Sequence, residues 1–145
     1  MPEHTRAQLL DSLEHDWGVF VVRFRSLPPA EQDAWLAAQG CRRFADLLAH
    51  VLGWWDEAFA AVALRMDGQP VEDKRYDVDA FNAQAVRRFA ALNEAAVEAA
   101  FESARRRWAA LIGDMPDAAL ADGWTADRLR MELIGHYQEH ALTQP

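Results

Sequence analysis

The apolar pattern between Arg42 and Met66 limits the fold of this chain more than any other part of the sequence. Apolar residues recur here every three or four positions, the spacing that places side chains on one face of an α-helix. The stripe comprises Phe44, Leu47, Leu48, Val51, Trp54, Trp55, Phe59 and Val62. Because a stripe this wide needs apolar neighbours on more than one side, we predict a helix that other elements enclose.

Three further segments flank this helix. A first helix is predicted from Thr5, whose spacing to Gln8 is that of a capping box, and it must end before Pro28-Pro29. Residues 30–38 (AEQDAWLAA) indicate a short connecting helix. The polar segment 67–79 contains glycine and proline and is predicted to be a loop.

The second half of the chain continues the helical pattern. A third helix is predicted in two pieces, 79–91 and 94–113, with Asn93 as the N-cap of the second piece. The stretch that begins at Gly113 and contains DAALADG is predicted to be a connection, and Thr125 is predicted to cap a fourth helix.

These elements define a fold class. No stretch alternates apolar and polar residues as a half-buried strand does, and no repeat of 20–50 residues is present. The 145 residues match the size of a single domain. We therefore predict one all-α domain over residues 1–145, a four-helix bundle with a short extra helix between its first and second helices.

Composition excludes several classes of partner. The formal net charge of −8 argues against a nucleic-acid-binding protein, since such proteins concentrate positive charge. No secretion signal and no uncharged apolar run of about 20 residues is evident, so we expect no membrane partner and a cytoplasmic location. Cys41 is the only cysteine, which rules out an internal disulfide, and a lone cysteine is more often a small packing residue than a nucleophile.

Two histidines near the end of the chain form the first candidate site. His136 and His140 in IGHYQEH are four residues apart, on one border of the apolar stripe of the fourth helix. This spacing stacks the imidazoles about 6 Å apart along the axis, as in helical zinc sites. The same pattern also arises by chance in a helix that contains several histidines.

His50 extends this pair. It lies on a border between apolar residues and the acidic residues Asp46 and Glu57 on the second helix. Three histidines that leave a fourth position open are the ligand set of a catalytic zinc site. The alternative is a partly buried histidine that donates a hydrogen bond to a carbonyl group.

The segments around these histidines resemble a known family. FADLLAHVLGWWDE (44–57) and GWTADRLRMELIGHYQEH (123–140) are similar to the DinB/YfiT superfamily of metal-binding four-helix bundles, and the DAFNAQAVRRF segment is similar as well. The resemblance implies that His50, His136 and His140 bind one divalent metal ion. Members resemble thiol-dependent transferases, maleylpyruvate isomerase or the iron-binding domain of ergothioneine synthesis enzymes.

Two details refine this resemblance. The ergothioneine branch extends the motif to HxxxHxE, whereas Leu142 occupies the final position here, which argues against that chemistry. The second helix and the DAFN segment also resemble the DfsB-like group, which is related to colibactin self-protection proteins. Members of that group need not keep the three histidines, so their presence favours the metal-binding side of the superfamily.

The ligand type restricts the metal. Three neutral imidazoles suit zinc, nickel, copper or iron(II) and not magnesium or calcium, and we expect zinc first, nickel next and iron after them. Such a metal either lowers the pKa of bound water or activates a thiolate. The expected pocket walls are Trp54, Tyr137 and the 67–79 loop. Glu57 and Tyr137 are the candidates for catalysis, although Glu57 is equally well explained as a solvated carboxylate.

The sequence thus leaves two functions open. One is a mononuclear metal-dependent hydrolase or thiol transferase that acts on a small molecule. The other is a non-enzymatic protein that sequesters a small toxic compound. The Arg105–Arg107 run is most simply a solvated helix face, although one of the three arginines could bind an anionic substrate. The abundance of aromatic residues favours a homodimer.

Overall fold

The computed structural model describes residues 4–142, and all regular secondary structure among these residues is helical, with no β-strand. In chain order the α-helices are α1 (Arg6–Asp11), α2 (Phe20–Arg25), α3 (Pro29–Ala38), α4 (Phe44–Met66), α5 (Val78–Phe89), α6 (Glu94–Asp114), α7 (Asp117–Ala121), α8 (Gly123–Leu129) and α9 (His136–His140). A π-helical segment, Ser12–Asp16, and a 3-10 segment, Trp17–Val19, join α1 to α2. A second π-helical segment, Arg130–Gly135, joins α8 to α9.

Several predicted helix ends are confirmed by their caps. The Thr5 hydroxyl accepts from the Gln8 backbone N–H, and the Gln8 side chain accepts from the Thr5 backbone, which completes the capping box. Asn93 caps α6 by accepting from the backbone N–H of Ala96 at 2.8 Å. The local chemistry of these ends is therefore sufficient to locate them.

Two local predictions are wrong. The N-cap of α8 is Asp122, whose carboxylate accepts from both the backbone N–H and the hydroxyl of Thr125. Thr125 is therefore the residue that is capped, and the helix begins before it. The DAALADG stretch is not only a connection, since it includes the short helix α7, which Pro116 precedes.

The centre of the protein is an aromatic core formed by Trp17, Trp55 and Phe101, each fully buried. The ring centroids of Trp17 and Trp55 are 5.1 Å apart in an edge-to-face arrangement, and Trp55 stacks on Phe101 at 5.3 Å. Since α4 makes its most extensive contacts with α5 and α6, its wide apolar stripe is enclosed as predicted.

Helix α4 is also long and apolar enough to cross a membrane by length and composition, the one such helix among residues 4–142. Half of the apolar window is buried inside the protein. A core helix passes the same test, so this feature does not decide location, and the cytoplasmic assignment stays a prediction.

The most exposed large apolar side chains are aliphatic: Val22, Leu64, Val78, Leu92 and Met131. The aromatic residues that led us to expect a homodimer are instead used mainly inside the described part of the chain. Association of two copies stays a prediction.

Candidate metal centre

Helices α4 and α9 bring the three predicted histidines together. The ring centroids of His50, His136 and His140 are 5.0–5.1 Å from one another. One ligand nitrogen from each ring lies within 4.8 Å of the other two. The Nε2 atoms of His50 and His136 are 3.1 Å apart, close to the separation of about 3.3 Å for two nitrogens on a tetrahedral zinc ion.

Asn82 on α5 fixes the tautomer of His50. The indole N–H of Trp54 donates to Asn82 Oδ1 at 2.7 Å, and an indole nitrogen can only donate, so this amide atom must be the oxygen. The same oxygen lies 2.9 Å from His50 Nδ1. Nδ1 therefore carries the proton, and Nε2 of the neutral ring presents its lone pair to the other two histidines.

His140 has an equivalent partner from a different element. Its Nδ1 lies 2.7 Å from Oε1 of Gln39, the residue that follows α3. Its Nε2 is buried and has no hydrogen-bond partner in the described structure. A buried nitrogen without a partner costs free energy, and a metal ion at the centre of the three rings would satisfy it.

His136 is the most buried of the three, with 7% of its surface exposed. Its Nδ1 faces Oε2 of Glu132 at 3.8 Å, one helical turn earlier. All three imidazoles therefore direct Nδ1 towards an oxygen from a neighbouring side chain. Metal-binding histidines commonly have such a partner, which holds the ring orientation.

Burial keeps the three rings neutral. Desolvation, together with the neighbouring His50 and His140, lowers the pKa of His136 to about 3. Desolvation and His50 lower the pKa of His140 to about 4. The pKa of His50 is also lowered by desolvation, which its hydrogen bond to Asn82 opposes. Neutral imidazoles are the form that binds metal ions.

Glu132 is a buried carboxyl group at the edge of the cluster. Desolvation raises its pKa to about 7, although the charge of Arg128 acts in the opposite direction. Arg128 Nε lies 3.6 Å from Glu132 Oε1, which is longer than a hydrogen bond.

The second π-helical segment sets the register of His136 and His140. Three side chains donate to backbone carbonyls of this segment: Trp17 and Ser12 to Leu133, at 2.8 and 3.3 Å, and Trp55 to Glu132 at 3.3 Å. These bonds tie the backbone just before His136 to the aromatic core. π-Helical turns are frequent at functional sites because they redirect the side chains that follow.

Gly53 permits the close approach that brings Asn82 to His50. A Cβ atom at Gly53 would lie 2.7 Å from the Cβ of Ala85, so any side chain here would push α5 away from α4. The sequence places Asn82 and Ala85 on the same face of α5, three residues apart. The contact between the two helices and the partner of His50 therefore depend on the same glycine.

The three histidines line a cavity of about 1080 Å³. Trp54 and Tyr76, which we call the aromatic wall, form part of its surface, with ring centroids 5.2 Å apart. Phe81 stacks on Trp54 at 4.1 Å and supports it. A cavity of this size admits a small molecule beside the histidines.

Trp54 and the segment 67–79, through Tyr76 and Val78, line the cavity as predicted. Tyr137 does not belong to its described lining, because its ring packs against Trp17 with centroids 5.2 Å apart.

Glu57 also lies outside this lining. Its Oε1 accepts from Lys74 at 3.0 Å and from the Tyr76 hydroxyl at 2.8 Å. The Lys74 hydrogen bond is the largest cause of a lowered pKa at Glu57, so this group holds its proton less readily than an ordinary glutamate.

Cys41 and the Arg105–Arg107 run were the remaining candidates from the sequence, and they lie in different places. Cys41 lines the cavity, but desolvation raises its pKa, which disfavours the thiolate. Arg105 bonds to Glu102 and to the carbonyl of Leu13, while Arg106 and Arg107 are exposed. This run is mainly a solvated face, as expected.

Three functional partners were missed by sequence reasoning: Gln39, Asn82 and Glu132. Glu132 had a usable signal, because it precedes His136 and His140 by four and eight residues and so shares their helix face. Asn82 is separated from His50 by 32 residues and Gln39 from His140 by 101, so only tertiary packing brings them together.

The three-histidine cluster could hold a metal ion, and its donor set fits one. His140 Nε2 is a buried nitrogen of the cluster without a hydrogen-bond partner, as expected of an atom that binds a metal ion. Nitrogen donors from imidazole suit zinc, nickel, copper and iron and do not suit magnesium or calcium.

Comparison of the chain with protein-family models, with curated proteins and with solved structures yields no match. The resemblance to the DinB/YfiT superfamily therefore stays a prediction. The convergence of His50, His136 and His140 at one end of a large cavity carries the functional argument.

Proposed function

We propose that this protein binds one divalent transition metal through His50, His136 and His140 and acts on a small molecule in the adjoining cavity. The observation that carries the proposal is the triangle of three neutral imidazoles, with one nitrogen of each within 4.8 Å of the others, on the cavity surface. Three protein ligands leave a position open, as in catalytic zinc sites. The reaction class that we propose is hydrolysis or transfer to a thiol.

A bound divalent metal would supply Lewis-acid chemistry at its open position. The protein residues around it would supply orientation. Asn82 and Gln39 hold His50 and His140 in one tautomer by accepting from their Nδ1 atoms. Trp54 and Tyr76 offer an apolar surface on which a ligand can pack with loss of water.

We propose zinc as the first choice of metal, nickel as the second and iron(II) as the third. All three ligands are imidazoles, with neither a thiolate nor a carboxylate among the converging atoms of the described residues. Glu132 lies beside His136 but faces its Nδ1. Imidazole binds each of these metals, so the ligand type is compatible with all three.

We also propose that the helices form a four-helix bundle of the DinB/YfiT type. The helical segment from Arg6 to Arg25, helix α4, helix α6 and the segment from Gly123 to His140 would be its four members, with α5 placed across α4. Contacts of α4 with α5, α6 and α8 support this arrangement. The location of the three histidines on the second and last of these members agrees with the resemblance noted in the sequence.

A non-enzymatic binding or protective role is the second candidate. The volume of the cavity, about 1080 Å³, and its aromatic wall favour it, because both suit capture of a whole small molecule. In that case the metal would be incidental to ligand capture. A cytoplasmic location and association into a homodimer are compatible with either function.

Metal analysis of the untagged protein tests the first proposal. We expect close to one equivalent of a transition metal after loading with zinc, and a rise in melting temperature, since a ligand at about 100 times its Kd stabilises a protein by about 2.7 kcal/mol. Replacement of all three histidines by alanine should abolish both effects. His15→Asn is a matched control, because His15 is exposed and lies outside the cluster.

Less than a tenth of an equivalent of metal in the loaded wild-type protein would contradict the metal site. Ligand binding distinguishes the two candidate functions. If the triple alanine variant still captures a small molecule, sequestration is favoured. Dependence of that capture on the histidines favours the metal-dependent reaction.

A further inference from the structure

Arg128 differs from Arg43, Arg65 and Arg88 in the partners of its guanidinium group. Arg43, Arg65 and Arg88 each place a guanidinium nitrogen on a carboxylate oxygen, at 2.9, 2.9 and 2.8 Å. Arg128 Nε and Nη2 are buried and have no hydrogen-bond partner. Its nearest carboxylate oxygen, Glu132 Oε1, is 3.6 Å away.

The side chain of Arg128 is 16% exposed and lines the same cavity as the three histidines. Two buried guanidinium nitrogens without hydrogen-bond partners are costly, because they lose water and gain no replacement. Nε and Nη2 form one edge of the planar group, and their N–H bonds run parallel. This edge is the one that binds a carboxylate through two hydrogen bonds.

Helical spacing determines how far Arg128 lies from the three histidines. Arg128, Glu132, His136 and His140 are spaced by four residues along the segment from Gly123 to His140. Arg128 therefore lies about two turns from His136 on a similar face. A ligand that reaches both must carry its anionic group several bonds away from the atom placed at the histidines.

We propose that Arg128 is the anion-binding residue of the cavity and that the ligand of this site is a small molecule with a carboxylate group. The inference rests on the proposed use of the cavity for a small molecule but not on the metal. A carboxylate suits this position better than a phosphate. One guanidinium group neutralises a single charge, and a second charge would face the buried Glu132.

The aromatic wall suggests a probe. We choose 3-phenylpropionate, whose ring can pack on Trp54, together with its neutral amide and 2-phenylethylphosphonate as comparisons. Binding is measured by calorimetry on the full chain, metal-free in the presence of a chelator and again after loading with zinc. The variants are Arg128→Gln and Arg128→Lys, and the matched control is Arg106→Gln, an exposed arginine on α6.

We expect wild-type protein in both forms to bind the carboxylate about ten-fold or more tightly than the amide, because two charge-assisted hydrogen bonds are gained. In the metal-free protein, Arg128→Gln should remove this preference. Arg128→Lys should keep only part of it, since lysine cannot form the two parallel hydrogen bonds of a guanidinium group. Arg106→Gln should leave the preference unchanged. The phosphonate should bind more weakly than the carboxylate.

Equal affinities of the metal-free protein for the carboxylate and the amide would overturn the inference, as would a preference that persists in metal-free Arg128→Gln. The zinc-loaded form is not used for this test, because an open position on the metal would itself bind a carboxylate. Tighter binding of the phosphonate would overturn the carboxylate assignment. These results are separable from failure of the metal site. If the protein takes up no zinc but prefers the carboxylate, the role of Arg128 is supported and the metal site is contradicted. If the protein takes up zinc but shows no preference, the metal site is supported and the role of Arg128 is contradicted.

Discussion

Trp54 and Trp55 are adjacent in α4, yet they belong to regions with different organisation. Trp55 is fully buried in the aromatic core and donates its N–H to the Glu132 carbonyl. Trp54 is partly exposed in the aromatic wall and donates to Asn82. The core is held by close packing of apolar rings, whereas the cavity region is held by polar side chains that orient one another. One helix therefore contributes to the packed core on one face and to the cavity surface on the other.

The largest expected effect separates these two faces. Trp55→Ala should reduce the free energy of unfolding by about 3–5 kcal/mol, because it leaves a cavity in a packed core and an unpaired carbonyl. Trp54→Ala should cost less than half of that, since Trp54 is partly exposed. Urea denaturation of the metal-free proteins measures both, and equal losses would contradict the division between core and wall.

The next largest effect is expected at Asn82, in the polar cavity region. Asn82→Ala should weaken zinc affinity by about 10–100-fold, because residues that orient metal-binding histidines contribute on this scale. Asn93→Ala is the matched control: it removes the N-cap of α6 at a cost of about 1 kcal/mol in stability and should leave the zinc affinity unchanged. Competition with a chromophoric chelator measures the affinity, and an equal loss in both variants would contradict the role of Asn82.

Two glycines test whether the approach of α5 to α4 is required. Gly53→Ala places a methyl group against Ala85 and should destabilise the protein by about 1–3 kcal/mol and weaken zinc binding. Gly113→Ala meets no atom within 4 Å and should stabilise α6 by up to about 1 kcal/mol through helix propensity. Opposite signs in the melting temperature are expected. Stabilisation by both substitutions would show that the helices can separate without loss.

Acid should weaken the cavity region before the core. The pKa values of His136 and His140, lowered to about 3 and 4, fall below the unfolded value near 6.5. The unfolded chain therefore binds more protons between pH 6.5 and pH 4, and stability falls as pH falls through that window. Glu132, whose pKa is raised to about 7, opposes part of this loss. The folded state favours its protonated form, so Glu132 stabilises the protein as pH falls through about 7.

Denaturant titrations between pH 7.5 and 4.5, with chelator present, measure this slope. The triple histidine variant should show a weaker loss than the wild type, while His15→Asn should behave like the wild type. Identical slopes for all three proteins would contradict burial of neutral imidazoles.

The smallest effect is expected at Glu57. Glu57→Gln removes an ion pair with Lys74 that is partly exposed, and such pairs contribute about 0–1 kcal/mol. Zinc affinity should be unchanged, because Glu57 lies outside the described cavity lining. A large loss of zinc binding or of ligand capture in this variant would show that Glu57 contributes to the site.

The helical elements were predictable because their signals are local. The period of the apolar residues in α4, the capping box at Thr5 and the cap at Asn93 depend only on residues within one or two turns. The prediction at Thr125 was wrong for a local reason as well, since Asp122, three residues earlier, accepts from the backbone N–H of Thr125 and so caps the helix before Thr125. The interruption of the first helix was not predicted, because it accompanies contacts of Ser12 and Trp17 with Leu133 far along the chain.

The sequence by itself determined an all-helical chain and the three histidines, because helix periodicity and ligand type are encoded in short stretches. Only the tertiary structure decided which nitrogens face one another, that Asn82 and Gln39 orient them, that Tyr137 turns towards Trp17, and that Nε and Nη2 of Arg128 are buried without a hydrogen-bond partner. These features depend on side chains separated by many residues in the chain. Their distances are fixed by helix packing, which no local pattern specifies.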